Sequence, residues 1–365
     1  MIKISEITDH LETIAPVFLQ ESYDNAGLLI GDRTMDCTGI IICLDATEAV
    51  IDEAITQHCN LVVAHHPIVF RGLKKITGKN YVERTVLKAI KNDIAVYAIH
   101  TNLDNIKKGV SGAIAGKIGL KNVEVLQSRE QLLKKLITFA PVTNAEAVRK
   151  AMFDAGGGEL GKYSECSFNT EGTGTFKPLE GADPFVGTIG KRHEEKEVKI
   201  EVIFPAYLEQ KLVQAMKEAH PYEEVAYDII SLGNYLSDVG SGIIGELETP
   251  ADESSFLGQL KSAFNLAVIK HTHLTGKKVK KVAVCGGAGG FLIPVAMAAG
   301  ADIYLTSDIK YHEFFDAEGM LLADIGHYES EQFTIELLYA ILSEKFPNFA
   351  VRKTGVNTNP VHYYL

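Results

Sequence analysis

The sequence is poor in several features that would place it at once. Cysteine is scarce: Cys37, Cys43, Cys59, Cys166 and Cys285 are odd in number and form no close pair. That excludes a disulfide frame and a thiolate metal knuckle, and it points to reduced thiols and a cytoplasmic location. Long apolar runs are missing. The longest, Phe291 to Ala301, falls far below the ~20 residues a membrane-spanning helix needs, so no membrane partner is expected. Positive charge is in deficit: the formal net charge is -11 over 365 residues. Such a balance argues against nucleic acid as a partner and for a small-molecule substrate or ligand. No leader is read in Met1 to Pro16, which is amphipathic and carries acids. No low-complexity segment interrupts the chain. The cluster Cys285-Gly286-Gly287-Ala288-Gly289-Gly290 is neither a P-loop nor a good dinucleotide fingerprint. It fits tight packing of a turn onto a helix, with an anion cradle as the alternative.

What is present is a repeated grammar. In the N-terminal third, apolar runs of strand type (Ile40 to Leu44, Leu61 to Ala64, Ile94 to Ile99) alternate with helical spacing at Glu48 to His58, Tyr81 to Lys91 and about Ser111 to Ile118. The C-terminal third does the same. Strands are expected at Val279 to Cys285, Ile303 to Thr306 and Leu321 to Ile325, and helices at Phe291 to Ala299, Lys310 to Glu318 and about Ser330 to Glu344. Alternation of this kind predicts mainly parallel, covered sheets. The middle differs. Leu136 to Ala140, a helix from Asn144 to about Ala155, Ser164 to Thr175, Val198 to Phe204, a helix over Leu208 to Ala219 and Ala226 to Ile230 give the order βαββαβ, a ferredoxin-like arrangement. The stretch Gly181 to Lys196 reads as a long polar loop. The fold class expected is therefore α/β: a discontinuous two-half α/β domain, with an inserted ferredoxin-like α+β domain.

Three clusters carry chemistry, and each follows a buried strand directly. His65-His66-Pro67 ends the Leu61 to Ala64 run. Successive strand residues point to opposite faces, so two adjacent rings would reach one ion only where the alternation breaks, or would serve two neighbouring ions. Alone, the pair is equally two histidines in a βα loop. His100-Thr101-Asn102-Leu103-Asp104 also follows a strand, at the carboxyl end where open α/β sheets place ligands. Asp104 can chelate or bridge, and His100 can be a ligand, a supporting partner or a general base. A turn capping the next helix accounts for the stretch as well. His327 and Glu331 are four apart and share a helix face, though a surface pair has the same spacing. Together the clusters offer three imidazoles and two carboxylates, with His100 in reserve. That set suits two divalent ions (Zn, Fe, Mn or Co) with coordination positions to spare. Asp308 and His312 follow another strand and are candidates for acid–base work, with a helix cap as the plainer reading.

The residues taken together resemble the Nif-three-like dinuclear-metal family, commonly called GTP cyclohydrolase I type 2 homologues. The matching stretches are Tyr23-Asp24-Asn25-Ala26-Gly27-Leu28, Ala64-His65-His66-Pro67, His100 to Asp104, Thr306 to His312, Gly326-His327 with Glu331, and Asn359-Pro360. The resemblance spans about residues 1–126 and 245–365. Tyr23 stands where the family often has tryptophan. The resemblance implies a discontinuous α/β domain (1–126 plus 245–365), a two-metal centre held by His65, His66, Asp104, His327 and Glu331, and a toroidal homohexamer. The insert, 130–236, resembles the PII/CutA-like domain of longer members through Ala219-His220-Pro221-Tyr222-Glu223-Glu224. His220, Glu223 and Glu224 could bind a ligand there, or form a loop capping the preceding helix. Two functions follow as expectations. One is a metal-dependent hydrolase acting on a nucleotide or related heterocycle, with His100, Asp308 or His312 moving protons. The other is a non-enzymatic metal-responsive or regulatory scaffold whose insert senses a ligand.

Overall fold

Burial of apolar strands on both faces organises this chain. The computed structural model describes residues 2–364, and the chain falls into two compact units, Met1–Ser128 with Ser237–Leu365, and Arg129–Leu236. The first unit holds two sheets. One runs in the order Gly27–Ile30, Ala95–Ala98, Leu61–His66, Ile40–Asp45, Val351–Lys353. Its last four strands are parallel and Gly27–Ile30 is antiparallel. The other runs Lys270–His271, Leu321–Asp324, Ile303–Ser307, Lys278–Ala288, Gly240–Asp252, Lys121–Ser128.

The side-chain period of two explains the core. Ile40, Ile42, Leu61, Val63, Ala95 and Tyr97 of the first sheet share one cluster with Val282, Val284, Ile303, Leu305, Leu321 and Ala323 of the second. The alternate residues Ile41, Val62 and Val96 pack on the helices Glu48–Thr56 and Tyr81–Lys91 through Val50, Ile51, Ala54, Val86 and Ala89. Both faces of the central strands are covered, hence their unbroken apolar runs. Thr47 and Asn80 cap those two helices, accepting from Val50 N and Glu83 N.

Several expectations need correction. Only the middle of the second sheet, Lys278–Ala288, Ile303–Ser307 and Leu321–Asp324, is parallel. The other three strands join through antiparallel pairings, and the edge strand Lys121–Ser128 is largely exposed, so its sequence carries no core signal. The strand expected to stop at Cys285 continues through the glycines to Ala288. The segment Tyr311–Ala317 is a 3₁₀ turn rather than an α-helix. The last helix is two, His327–Glu331 and Thr334–Lys345.

The second unit runs in order Leu133–Pro141, helix Ala145–Asp154, Phe168–Phe176, His193–Pro205, helix Glu209–Ala219, Tyr227–Ser231. In space its strands lie second, third, first, fourth, all antiparallel. Val198, Ile200, Val202 and Phe204 pack against Val148, Met152, Leu212 and Met216 of the two helices. The stretch expected as loop to Lys196 is strand from His193 onward, because it pairs with Phe168–Phe176 along its full length.

Ser128 and Gly240 are partners in the antiparallel ladder of the first unit. The chain therefore leaves that unit and rejoins it at adjacent points. Replacing Arg129–Leu236 by a short Gly/Ser turn converts the two strands into a hairpin, with a loop-closure change of no more than about 1–2 kcal/mol. The expected product is folded and retains metal binding, checked by circular dichroism and elemental analysis. Insoluble or metal-free products at several linker lengths would contradict this.

Candidate metal centre

The carboxyl ends of the strands deliver the polar residues to one place. His65 and His66 are the last two residues of Leu61–His66. The strand does not break there, since Asp45 still pairs with His66. The pleat sends the two rings in different directions, with centroids 4.9 Å apart. His100 precedes the short helix Thr101–Asp104. From the second sheet, Leu321–Asp324 leads through Gly326, at φ +87°, into His327–Glu331. A side chain at Gly326 would be strained by that backbone and would also collide with the Glu329 carboxylate.

Each imidazole is clamped by one nitrogen. His65 Nδ1 donates to the Ile99 carbonyl at 2.8 Å. His66 Nδ1 donates to Asp45 Oδ1, His100 Nδ1 to Asp24 Oδ1 and His327 Nδ1 to Asp308 Oδ2, each at 2.7 Å. These contacts set the tautomer and turn each Nε2 toward a common space. Carbonyl and carboxylate partners of this kind are what metal-ligating histidines carry.

The donors form three overlapping groups: His65, His66 and His100; His66, His327 and Glu331; His65, Asp104 and Glu331. Glu331 belongs to two of them. Its Oε2 lies 2.9 Å from His66 Nε2 and 3.0 Å from His327 Nε2, and its Oε1 lies 3.8 Å from His65 Nε2. The adjacent strand residues His65 and His66 share the first group and separate into the other two, both of which contain Glu331.

The donor set fits a divalent cation on a direct observation. His65 Nε2 and Asp104 Oδ1 are buried without a hydrogen-bond partner, and they stand 3.6 Å apart. Two ligand atoms each ~2.1 Å from one tetrahedral ion lie about 3.4 Å apart, so this spacing suits an ion better than a hydrogen bond. A buried, unpaired acceptor is otherwise costly.

The electrostatics agree. Burial would depress His66, but Asp45 and Glu331 outweigh it and raise the imidazole to about 10. His327 rises to about 9 against the same burial, through Glu331 and Asp308. Burial, then the Glu331 charge, pushes Asp104 up to about 8. Glu331 resists its own burial and is held well below the usual carboxylate range by His327, His65 and His66. Excess negative charge is thus gathered where positive charge is wanted. Burial raises the Cys285 thiol to about 12, so it stays protonated and the donors are nitrogen and oxygen alone.

Other residues are less visible in the sequence. Gly287, at φ +66°, leaves room for Glu331, whose Oε1 would collide with any Cβ there. This is the close packing expected of the glycine cluster: Gly286 lies against Val110 and Ile114 of the helix Val110–Lys117, and Gly287 against the Glu331 carboxylate. Asp45 and Asp24 belong to none of the three clusters. Asp45 ends a parallel strand at the same edge as His66, a signal the strand-end rule could have used. Hydrogen bonds from His100 and Thr101 overcome burial and hold Asp24 at about 2. Asp308 holds the His327 ring. His312, expected with the mouth residues, is exposed and rests against Tyr311 and Phe315, outside the three donor groups.

Paired α/β sheets whose strand ends gather imidazoles and carboxylates define a candidate divalent-metal-binding protein. The chain belongs to the Duf34/NIF3 (NGG1p interacting factor 3) family, whose model matches residues 2–360. It is 40% identical over 355 residues to a GTP cyclohydrolase 1 type 2 homolog of Halalkalibacterium halodurans, covering 96% of this chain and 95% of the relative. It is 38% identical over 360 residues to the Bacillus subtilis protein of the same name, covering 96% of each. Among solved structures, a Bacillus cereus protein related to NIF3 matches with a TM-score of 0.85 and 39% identity, over 100% of this chain and 99% of that one.

His65→Ala and Glu331→Ala are expected to lose most bound metal while folding, as measured by elemental analysis with circular dichroism. Asp45→Ala keeps every donor but frees the His66 ring, and should weaken metal affinity about 10- to 100-fold. Unchanged metal content in the first two would remove the site.

Proposed function

We propose that the chain binds two divalent ions through His65, His66, Asp104, His327 and Glu331, and that it hydrolyses a nucleotide or related heterocycle. The observation that carries this reading is the convergence of four clamped imidazoles and a two-faced carboxylate on a space where His65 Nε2 and Asp104 Oδ1 lack partners. When bound, divalent cations of the Zn, Fe, Mn or Co type acidify water toward about 7 and polarise the bond it attacks. The protein's own part is positional. Asp45, Asp308 and the Ile99 carbonyl fix His66, His327 and His65. Glu331 links two of the three donor groups. His100, tied to Asp24, is the proton-transfer group, and for a purine substrate it would serve attack at the ring carbon between two nitrogens. His312 lies outside the donors, so its substitution should leave the metal in place.

Further parts of the proposal rest on separate observations. The strand order of Arg129–Leu236 supports a ferredoxin-like, PII/CutA-like inserted domain, with the discontinuous remainder as the metal-binding domain. Exposed Tyr311 and Phe315, 73% and 68% accessible, provide apolar surface for the toroidal homohexamer. The free cysteines fit a cytoplasmic location. Among the described residues no helix is long and apolar enough to cross a membrane. A non-enzymatic, ligand-sensing role is the second reading, favoured by a cavity in the second unit.

Metal-loaded protein is expected to turn over a member of a panel of nucleotides and phosphorylated heterocycles. Asp104→Ala should abolish turnover together with metal binding. His100→Gln should retain most metal and slow turnover about 100-fold or more. His312→Ala should retain the metal, and any slowing there would extend the proton path to it. Absence of turnover across the panel, with metal fully bound, would favour the sensing role.

A further inference from the structure

The sheet of the second unit buries one face against its two helices through Val198, Ile200, Val202 and Phe204. The period of two sends Glu197 and Lys199 to the other face. Gly172 pairs with Glu197, and Phe139 with Lys199, so Thr170, Gly172, Gly174 and Phe176 share that helix-free face. It is not simply open. Residues after Phe176, among them Pro178, Leu179, Pro184 and Phe185, together with Tyr222, Glu223, Glu224 and Ala226, form a half-open cavity of about 780 Å³ over it. The backbone N–H of Asp183 donates to Glu223 Oε2 at 2.8 Å, tying the covering loop to the opposite rim.

The cavity wall contains a buried carboxylate. Glu197 is 8% exposed. Its Oε1 accepts from the Tyr222 hydroxyl at 2.9 Å. Its Oε2 has no hydrogen bond among the described residues, and it lies so close to Gly174 that a Cβ there would collide with it. Lys199, the nearest lysine on the same strand face, turns to Glu201 at 2.8 Å. Glu197 lines the cavity, and its free oxygen is open to a cationic partner there. The surrounding walls are aromatic: Phe176 and Phe185 stand 5.9 and 6.3 Å from the Tyr222 ring. The carboxylate-bearing Glu197, Glu223 and Glu224 line the cavity with Lys177 and Lys199, and Glu171, which also lines it, sends its side chain to the other face of the sheet. That balance disfavours phosphates and other anions.

We propose that this cavity binds a flat organic cation, an amidinium, guanidinium or aryl-ammonium compound. Its charged nitrogens sit on Glu197 and its ring lies among Phe176, Phe185 and Tyr222. Carboxylate pairing supplies the specificity, and aromatic faces accept both the ring and the positive charge. The proposal deepens the ligand-sensing reading of the second unit and does not depend on the metal centre.

The test uses the full chain, metal-loaded so that the other carboxylates are occupied. Binding of benzamidine, phenylguanidine and aminobenzimidazole is followed by calorimetry and ligand-observed NMR, with benzamide and benzoate as neutral and anionic controls. The cations should bind and benzoate should not. Glu197→Gln should weaken the cations about tenfold or more. Gly172→Leu is the second variant: a Cβ there meets nothing within 4 Å, so the side chain fits and should plug the cavity. Should the Gln variant misfold, the plug alone decides. No binding of any cation by the wild type, benzoate binding as tightly as benzamidine, or unchanged affinity in Gly172→Leu would overturn the proposal.

Discussion

Glu331 is 3% exposed, and its two oxygens lie against imidazoles delivered from both ends of the chain. A carboxylate so deeply buried is tolerable only if positive charge surrounds it. Much of the local architecture answers that requirement. Three strands of one sheet end at His66, Asp45 and just before His100, and the other sheet's strand Leu321–Asp324 ends just before His327. Gly287 gives up a side chain so that the carboxylate can approach the backbone. The outer carboxylates Asp45, Asp308 and Asp24 hold the rings that face inward. The two sheets meet in one apolar core, so the donors are fixed by scaffolding rather than by mobile loops.

The ligand clusters are legible in sequence because each one follows an uninterrupted apolar run. Such a run marks a doubly covered strand, and its end marks the edge where ligands collect. That local logic singles out His65, His66, Asp104, His327 and Glu331 as candidates without long-range information. Asp24 and Asp45 are different. Their roles exist only through rings 76 and 21 residues away, and a lone aspartate near a strand end more often caps the next helix or faces water. The geometry of Glu331 is hidden too, since helical spacing shows that it shares a face with His327 but not that its second oxygen reaches His65.

Misread elements fail for physical reasons of the same kind. Lys121–Ser128 is an exposed edge, so no hydrophobic period announces it. Glycines after Cys285 look like punctuation, yet the strand passes through them to Ala288 because close packing, not a turn, demands them. Residues from Gly181 onward look like solvent-facing loop. They are loop up to the strand that begins at His193, although Phe185 and Val186 also line a cavity.

The sequence separation across the site has a consequence for biosynthesis. His66 and Glu331 touch across 265 residues, and the second unit emerges from the ribosome between them. A growing chain exposes His65, His66 and Asp104 long before their counterparts exist. That fragment lacks the carboxylate linking the donor groups, so its hold on any ion is that of an unfinished chelate. Under the proposed metal-binding role, full affinity belongs to the completed chain alone, and the centre would report that the two halves of the chain have found each other. Contacts of such high order also close slowly, which gives the intervening unit time to fold on its own before the two halves join.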